Sequence, residues 1–542
     1  MAQIEINKNE FEDLIGTGIK DQQLEEEASY LGVHWNHVEG VKWDVEVYPN
    51  RPDLLSVEGL ARAYSRFFGE ETGLNEYDVS KGSFTLKIDE SVKDVRPEIG
   101  AAVVRNVELD ERAINGLIQL QEKIHETMGR RRDKLAIGLH DLSELSEPFT
   151  YRAVEPEKVS FTPLEYDREM NLGEIVDEHE KGQEYAWILE EDEKYPIIED
   201  SQGKVLSFPP IINNQLTEVD SGTTDIFIDV TGKDRETVEK ALNILSAAIA
   251  DRGGELETVE VNERTLPNLS PEETSIKLEY LNSVSGLNLS VDEAIELLEE
   301  MGYGAGKNDE SIEVEVPAYR TDVMHDYDLI EDVVIAYGYN DIEPEIPEIN
   351  QIGEENENEQ FSKVVREALI GASALETHTF TLSSTEKLFD SMEIDERPHA
   401  SMSNALTEDY QVVRSWMTPS LMEVLRENRH HSYPQSFFEV GEVAEMPSGE
   451  NKKKLSFVTA GDRDYNNARK ILQVLENALG LKLVLEEDYF GYGKKKRSAN
   501  IKYDGQELGW ICEFNNSVTE NWGLDVEVAG FEINIEKLKE FH

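Results

Sequence analysis

The sequence predicts a protein built from several α+β domains. Its 542 residues exceed what one hydrophobic core usually organises, since a domain takes about 150 residues. Apolar residues make up 39% of the chain, which is enough for several cores. Strand-like alternation and helix-like spacing follow one another along the chain, which indicates sheets and helices in the same domains. We therefore expect about three or four domains, each with its own core.

The chain is strongly acidic. It contains 113 Asp and Glu residues against 52 Lys and Arg residues, which gives a net charge of -61. Because apolar periodicity persists along most of the sequence, we expect a folded protein and not an acidic disordered one. Such a charge repels itself in dilute buffer, whereas at molar salt the Debye length falls to about 3 Å. We interpret the surface as halophilic, adapted to a salt-rich cytoplasm.

Cysteine usage and hydropathy indicate the compartment. The single cysteine, Cys512, excludes an internal disulfide, and we expect it to be buried among its apolar neighbours. The sequence shows no Cys and His spacing typical of zinc fingers. It begins without a signal-peptide pattern and contains no run of about 18 apolar residues. We expect a cytoplasmic protein without a membrane span.

The first predicted domain, residues 1–88, combines short strands with one helix. Apolar residues follow helical spacing over residues 57–68, so one face of this helix is expected to be buried. Pro52 fixes φ just before the helix, and Asp53 or Ser56 can cap its first turn.

The second predicted domain, residues 89–266, alternates strands with two amphipathic helices. Apolar residues mark these helices over residues 114–124 and 238–249. Gly129 ends the first helix and Gly253 the second. An α+β domain follows from this pattern.

The third predicted domain, residues 268–347, is smaller. Ser290 and Glu293 have the spacing of a capping box at the start of a helix. A strand follows at residues 312–317, and a further helix is expected over residues 326–337.

The fourth predicted domain, residues 355–542, begins with a helix and continues with several strands. Another helix is expected near residues 420–431. This pattern predicts a mixed sheet covered by helices.

Three separated stretches carry a family resemblance. They are NRPDLLSVEGLARAYSRFFG at residues 50–69, PAYRTDVMHDYDLIEDVVIAYGYNDI at 317–342, and a third that runs from NALTEDYQVV at residue 404 to GWICEFNNSVTENWGL near the end. In this order they resemble the β subunit of phenylalanyl-tRNA synthetase. The chain lacks the early oligonucleotide-binding insertion and the final anticodon-binding domain of the longer bacterial pattern, so it resembles the compact archaeal and eukaryotic type.

The resemblance implies a fold for each domain. The central domain, 89–266, would be an editing domain that binds and hydrolyses mischarged tRNA. Residues 268–347 would form a small winged-helix-like B5 domain with a magnesium-binding helix, and residues 355–542 a degenerate, inactive class II synthetase domain with an antiparallel sheet.

The resemblance also implies a function. With an α subunit, in an α2β2 tetramer, the chain would take part in ATP-dependent attachment of phenylalanine to tRNA(Phe) and would edit Tyr-tRNA(Phe). ATP would bind mainly to the α subunit, and Mg²⁺ would be the metal. Two alternatives remain open: a stand-alone deacylase of mischarged tRNA, and a non-enzymatic regulatory paralogue of a synthetase. The complete domain order and the acidic helix favour the subunit.

Four carboxylates are candidate metal ligands. Asp328, Glu331 and Asp332 share one face of the expected helix, and Asp322 lies just before it. Oxygen ligands without nearby His or Cys suit Mg²⁺. On spacing alone a solvated face is the more common explanation in so acidic a chain. The resemblance implies that all four bind magnesium together with the α subunit.

Polar residues of the central domain are candidates for an editing pocket. Tyrosine differs from phenylalanine by one hydroxyl, which an apolar pocket rejects only about a hundredfold. Strand alternation places Asp229 and Thr231 on one face, although such residues also occur on ordinary solvated strands. By resemblance, Ser207 joins these two in reading the tyrosine, Ile198 packs its ring and Asn213 orders the ester or water. No Ser-His-Asp or Cys-His arrangement is evident nearby, so we expect an oriented water and not a covalent nucleophile.

The last domain resembles a class II synthetase catalytic domain in which the sequence motifs are incomplete. Arg414 stands where the second class II motif would be, and Gly491, Gly493 and Arg497 retain part of the third. No residue is assigned to adenylation in this chain, and we expect Arg414 to form a surface or interface ion pair.

Two basic clusters are candidate tRNA contacts in this acidic chain. They are Arg130, Arg131 and Arg132, and Lys494, Lys495, Lys496 and Arg497. Counterion release contributes little at molar salt, so contact must rely on shape, stacking and hydrogen bonds.

Overall fold

The computed structural model describes residues 2–16, 28–36, 41–308, 311–461 and 464–542. The chain divides into two units, Met1–Ile346 and Pro347–His542. Within the described residues, no helix is long and apolar enough to cross a membrane.

The first unit begins with a small sheet and two helices. Its strands are β1 (Ala2–Asn7), β2 (Val33–Asn36) and β3 (Lys42–Val47), in the order β1-β3-β2, and its helices are α1 (Lys8–Ile15) and α2 (Val57–Phe67). The predicted helix is therefore confirmed. Ser56 caps it by accepting a hydrogen bond from the backbone N–H of Gly59, whereas Asp53 pairs with Arg51.

A large sheet forms the central part of this unit. The strands of this central part are β4 (Val79–Ser80), β5 (Thr85–Ile88), β6 (Glu98–Arg105), β7 (Leu135–Asp141), β8 (Phe149–Val154), β9 (Ser160–Phe161), β10 (Met170–Asn171), β11 (Tyr195–Glu199), β12 (Val205–Phe208), β13 (Ile212–Asn213), β14 (Ile226–Gly232), β15 (Glu255–Val261) and β16 (Arg264–Leu266). Among the described strands, β9 and β10 pair only with each other. The main order is β13-β12-β11-β8-β5-β15-β6-β14-β7. Strand β14 lies between β6 and β7, antiparallel to both, and all of its residues are buried.

The helices of the central part are α3 (Glu111–Glu126), α4 (Leu172–Glu178), α5 (Glu180–Tyr185) and α6 (Arg235–Ala250). The two predicted helices correspond to α3 and α6. Helices α4 and α5 were not predicted, because each is too short for helical periodicity to stand out.

The smaller third part contains β17 (Glu272–Lys277), α7 (Leu278–Ser285), α8 (Val291–Glu300), β18 (Gly304–Asn308), β19 (Ser311–Val316) and α9 (Asp326–Tyr337). Its strands lie in the order β17-β19-β18. The capping box of Ser290 and Glu293 is confirmed at the start of α8.

Most of the hydrophobic core of the first unit is continuous, apart from a smaller cluster around Phe208 and Ile211. Buried apolar side chains from Ile4 to Ile335 form one connected cluster. This finding differs from the expected separate core for every domain. The physical reason is that α2 contacts both α6 and α8, so its buried faces join the neighbouring parts.

The second unit is built on one long sheet. The strands of the whole unit are β20 (Leu375–Glu376), β21 (Leu382–Ser383), β22 (Val412–Val413), β23 (Gln435–Glu445), β24 (Glu450–Ala460), β25 (Val484–Glu487), β26 (Gly493–Tyr503), β27 (Gln506–Phe514) and β28 (Val528–Asn534). Strands β21 and β22 pair with each other and are not part of the long sheet. Its helices are α10 (Glu357–Gly371), α11 (Thr385–Leu388), α12 (Thr418–Glu427), α13 (Asp464–Leu479), α14 (Asn516–Asn521) and α15 (Ile535–Lys539). The order is β20-β23-β24-β28-β27-β26-β25, and only the short pairing of β20 with β23 is parallel within the described part of this sheet.

Strand alternation divides the core of the second unit between the two faces of its sheet. Phe438 and Ile511 belong to one buried cluster, whereas their neighbours Phe437 and Cys512 belong to the other. Cys512 is fully buried, as predicted, and burial raises the pKa of its thiol.

Candidate functional site

A cavity of about 440 Å³ lies in the central part of the first unit. Its walls come from helix α3, strand β7 and the segment that joins β12 to β13. Three of the predicted pocket residues, Ser207, Asn213 and Asp229, line it. Ser207 and Asn213 are partners in the pairing of β12 with β13, which turns both side chains to the same face.

Ser207 offers an unused hydrogen-bonding group to this cavity. Its side chain is 2% exposed, and its Oγ atom has no hydrogen-bond partner among the described residues. A buried hydroxyl left without a partner costs about 1–3 kcal/mol. Such an atom in a cavity wall indicates that a ligand or water supplies the missing bond.

The floor of the cavity contains a chain of buried hydrogen bonds that the sequence did not reveal. His140 Nε2 lies 2.8 Å from Asp229 Oδ2, and His140 Nδ1 lies 2.8 Å from Thr217 Oγ1. All three side chains are at most 1% exposed. His140 lies 89 positions from Asp229, and the register of β7 against β14 brings the two together.

Gly138 makes room for this arrangement. It pairs with Asp229 across the two strands, and a Cβ atom at this position would lie 2.1 Å from Asp229 Oδ2. The same Cβ would lie 2.6 Å from His140 Nε2. Real Cβ atoms essentially never approach so closely, so this position of β7 requires a glycine.

A charged group occupies another wall. Arg132 Nη2 donates to Glu122 Oε1 at 2.8 Å, and His125 Nδ1 lies 3.2 Å from the same oxygen. The backbone N–H of Ile137 donates to His125 Nε2, so the ring proton lies on Nδ1 and faces Glu122. Burial acts to raise the pKa of Glu122, but the hydrogen bonds and the arginine charge outweigh it and lower the pKa to about 2.

The predicted basic cluster at 130–132 is divided by the fold. Arg130, Arg131 and Arg132 adopt positive φ angles of 46°, 58° and 65°, a strained left-handed turn. Arg132 is buried and donates to the carbonyls of Pro210 and Ile211, whereas Arg130 and Arg131 are exposed.

Arg96 holds this turn in place from beneath. Its guanidinium donates to the carbonyls of Arg132 and Asp133 and to both oxygens of Thr231. Burial lowers the pKa of Arg96 to about 10, so it remains charged at neutral pH.

Two of the predicted pocket residues do not line the cavity. Thr231 shares a face with Asp229, as alternation predicts, but its hydroxyl accepts a hydrogen bond from Arg96 at 3.0 Å. Ile198 pairs with Ser207 and is fully buried in the hydrophobic cluster.

The four carboxylates predicted to bind metal lie near helix α9 but do not converge. Arg320 donates to both oxygens of Asp322 at 2.9 and 2.8 Å and to Asp332 at 2.6 Å. Asp328 accepts from the backbone N–H groups of Met324 and His325.

The charges of these four carboxylates and of Arg320 act on one another. Burial raises the pKa of Glu331, and the negative charges of Asp332, Asp328 and Asp322 raise it further. Burial acts to raise the pKa of Asp322, but the charge of Arg320 and its hydrogen bonds lower it to about 2. Within the described ranges, no group of three or more His, Cys, Asp or Glu side chains could hold a metal ion. A guanidinium therefore neutralises two of the four carboxylates, which do not form a preformed magnesium site in the part of the chain that the structure describes.

Comparison with known proteins agrees with this architecture. The model of the B3/4 domain matches residues 81–251, that of the tRNA synthetase B5 domain matches 274–339, and that of the phenylalanyl-tRNA synthetase β chain CLM domain matches 342–535. The chain is 37% identical to the phenylalanine–tRNA ligase β subunit of Thermococcus sibiricus over 98% of each protein. The corresponding identity is 38% for Pyrococcus furiosus, over 99% of this chain and 100% of that protein, and 39% for Archaeoglobus fulgidus, over 93% of each.

The chain belongs to the phenylalanine–tRNA ligase β-subunit family.

A solved structure supports the same conclusion for the first unit. An N-terminal fragment of the phenylalanyl-tRNA synthetase β subunit from Pyrococcus horikoshii is 39% identical, with a TM-score of 0.60. The match covers 62% of this chain and all of the fragment. The resemblance inferred from the sequence is therefore confirmed as to family and archaeal type, and so is the α+β multidomain fold.

In the second unit of this β-subunit family member, Arg414 is part of a buried ion pair. Its Nη2 donates to Glu439 at 2.8 Å, its Nε to the carbonyl of Glu442 and its Nη1 to Thr379. Both ion-pair partners are at most 2% exposed at the side chain. The predicted ion pair is confirmed, but it lies inside the unit and not on its surface.

The basic cluster at residues 494–497 is partly neutralised. Lys494 donates to Glu513 at 2.7 Å, and Arg497 pairs with the same carboxylate. The Lys495 ammonium lies 5.4 Å from the centre of the Tyr489 ring. Lys495 and Lys496 are exposed, so they are the members of this cluster that can meet a further anion.

Proposed function

We propose that the chain works with an α subunit in phenylalanine–tRNA ligase and that its central cavity removes tyrosine from mischarged tRNA(Phe). The observation that carries the second part is the unpartnered Oγ atom of Ser207 in the same cavity that the carboxylate of Asp229 lines. The volume of about 440 Å³ suits one amino acid side chain and part of its nucleotide.

These two groups suit a ligand that carries a hydroxyl. A site built to bond a hydroxyl rejects the analogue that lacks it, because its buried polar groups would then stay unpaired. Asp229 uses Oδ2 for His140, which leaves Oδ1 as the acceptor for a phenol. Phenylalanine cannot supply that donor, so the correctly charged tRNA is spared.

The hydrolytic step uses water. A water molecule attacks the ester carbonyl, the ribose oxygen leaves with a proton, and free tyrosine and tRNA result. Asn213 lies in the same wall as Ser207, and Arg132 brings a positive charge that favours the developing oxyanion. Glu122 is a weak base because its pKa is about 2, so its role is to hold Arg132.

Replacement of Asp229 by Ala tests this assignment in the assembled enzyme. We expect Tyr-tRNA(Phe) to accumulate during charging, while the rate of phenylalanine attachment stays the same. Unchanged clearance of tyrosine would remove Asp229 from the site. Full clearance by this chain without the α subunit would favour the stand-alone deacylase.

We infer that the α subunit supplies adenylation and binds ATP, in an α2β2 tetramer. The support is the burial of Arg414 in an ion pair, which makes the arginine of the second motif inaccessible to a nucleotide. Phenylalanine-dependent charging is expected only when both subunits are mixed. A protein that binds an enzyme yet leaves charged tRNA intact would instead be the regulatory paralogue.

The remaining proposals concern metal, tRNA and boundaries. Mg²⁺ at Asp322, Asp328, Glu331 and Asp332 needs ligands from the α subunit, since Arg320 neutralises two of them here. The exposed Arg130 and Arg131 near the cavity, and Lys495 and Lys496, are proposed tRNA contacts. We keep the boundaries near residues 88, 267 and 347, and a salt-rich cytoplasm as the location.

A further inference from the structure

We propose that His140 is a positioning residue that makes the cavity selective for ligands carrying a hydroxyl donor. The inference rests on the editing function proposed above and deepens it, because it names the group that fixes Asp229. His140 itself is fully buried and does not line the cavity.

Both ring nitrogens of His140 are engaged. The ring bridges 2.8 Å contacts to Asp229 Oδ2 and to Thr217 Oγ1, which belong to two different segments. A carboxylate can only accept, so Nε2–H donates to Asp229. The ring cannot turn without losing both bonds.

Thr217 is itself fixed. Its Oγ1 atom lies 3.1 Å from the carbonyl of Asn214 and 3.4 Å from that of Leu206. Asn214 in turn donates from Nδ2 to the carbonyl of Val205 at 2.7 Å. The segment that follows β13 therefore holds the histidine, and the histidine holds the carboxylate.

The missing side chain at Gly138 is an independent sign that this contact matters to the cavity. Gly138 lines the cavity, and the space that its Cβ would fill is the space across which Asp229 meets His140. The hydrogen bond and the cavity floor thus occupy the same small volume. A strand residue of any other type would break the bond.

Fixing one carboxylate oxygen produces selectivity. When Oδ2 is held inside the protein, Oδ1 keeps one direction and is the carboxylate oxygen that can accept from a ligand hydroxyl. Without His140 the carboxylate can rotate and bond water, so it no longer requires the hydroxyl. The ratio of tyrosine to phenylalanine hydrolysis is therefore the property that His140 controls.

The test compares His140→Leu with His140→Gln in the complex with the α subunit. The glutamine amide keeps an N–H donor near the position of Nε2, whereas leucine keeps only bulk. We expect His140→Leu to lower kcat/KM for Tyr-tRNA(Phe) by about 10- to 100-fold, mainly through KM, and to bring the Tyr-to-Phe ratio toward one. His140→Gln is expected to restore most of the ratio, and Thr217→Val to lower it less than His140→Leu does.

A matched control is available in His179. This residue is 1% exposed, and its two ring nitrogens also make hydrogen bonds, to the carbonyl of Leu164 and from the N–H of Lys181. His179→Leu is expected to lower the melting temperature without changing the Tyr-to-Phe ratio. Equal loss of both hydrolytic rates in His140→Leu, with no rescue by Gln, would overturn the proposal.

A binding measurement separates this proposal from the editing function itself. Calorimetry with non-hydrolysable 3′-tyrosylamino- and 3′-phenylalanylamino-adenosine reports selectivity without catalysis. Selective binding of the tyrosyl compound that His140→Leu abolishes supports the positioning role, even if the wild-type complex hydrolyses neither ester. Selective binding that survives in His140→Leu contradicts the positioning role while leaving the editing function intact.

Discussion

Arg51 and Arg320 each form a bidentate ion pair with the aspartate that lies two residues further along the chain. Nε and Nη2 of Arg51 bond the two oxygens of Asp53 at 2.9 and 2.8 Å, and Arg320 bonds Asp322 at the same two distances. The two stretches are in contact, since the Arg62 guanidinium lies 3.9 Å from the centre of the Tyr319 ring, and the charge of Arg51 helps to lower the pKa of Asp322. Two of the stretches that carried the family resemblance therefore meet in one buried charged cluster, and their charged residues stabilise the fold.

Replacement of Arg320 by Met should destabilise the first unit strongly. It leaves Asp322 and Asp332 buried without a counter-ion, which typically costs about 3–5 kcal/mol of the free energy of unfolding. Urea denaturation measures this loss. Arg168→Ala, which removes an exposed ion pair with Glu178, is the control and should change the free energy by less than about 1 kcal/mol. Equal effects of the two substitutions would show that the cluster does not hold the fold.

Glu122 gives a pH-dependent prediction. Its pKa is about 2 in the folded chain, below the value of about 4.3 for an unfolded glutamate. Because the folded pKa is lowered, the stabilisation is complete above the unfolded pKa and disappears as the pH falls toward 2. The difference in unfolding free energy between the wild type and Glu122→Gln should therefore be constant above about pH 5 and shrink below it. A difference that grows on acidification would refute the ionised pair with Arg132.

Gly138→Ala should damage editing and spare charging. The added Cβ would fall 2.1 Å from Asp229 Oδ2, so the carboxylate and His140 must separate. Loss of one hydrogen bond to a charged group predicts about a tenfold or greater fall in hydrolysis of Tyr-tRNA(Phe) by the α–β complex. Gly306→Ala is the matched control, since nothing lies within 4 Å of its added Cβ. Normal tyrosine clearance by the Gly138 variant would mean that the floor of the cavity plays no part.

Arg414→Ala should weaken the second unit and leave ATP use unchanged. Its guanidinium is buried against Glu439, so its removal leaves an uncompensated charge that costs about 3–5 kcal/mol. In the folded complex, KM for ATP should stay at the wild-type value. Conversion of both partners to apolar residues should recover much of the stability. A raised KM for ATP with unchanged stability would place Arg414 in the active site.

The net charge of -61 predicts a stability that depends on salt. Raising KCl from about 0.1 M to about 2 M shortens the Debye length from about 10 Å to below about 3 Å and screens the repulsion. The melting temperature, followed by circular dichroism, should rise over this range. A melting temperature that is flat or falls would contradict the halophilic interpretation of the surface.

Local patterns in the sequence predicted the features that depend on neighbouring residues. The capping box of Ser290 and Glu293 and the helix that begins after Ser56 depend on contacts within one turn. Alternation placed Asp229 and Thr231 on one face for the same reason. The shared face of the helix at 326–337 was equally visible, since helical spacing sets it.

Contacts between distant segments were beyond the reach of the sequence. Thr231 does not line the cavity, because its hydroxyl accepts a hydrogen bond from Arg96, which lies 135 positions away in the sequence. His140 meets Asp229 across 89 positions through a strand register that no local pattern records. The LAIGLHD stretch places a glycine two residues before a histidine, and this was the one local feature that pointed to the contact. It can be interpreted only once β14 is known to pair with this strand.

A crystal structure of the α–β complex with non-hydrolysable 3′-tyrosylamino-adenosine tests the central claim most directly. The account predicts that the tyrosyl group occupies the cavity, with its phenol oxygen at about 2.5–3.0 Å from the carboxylate of Asp229 and near the Oγ atom of Ser207. A tyrosyl group bound elsewhere, or one whose hydroxyl points away from both side chains, would contradict it.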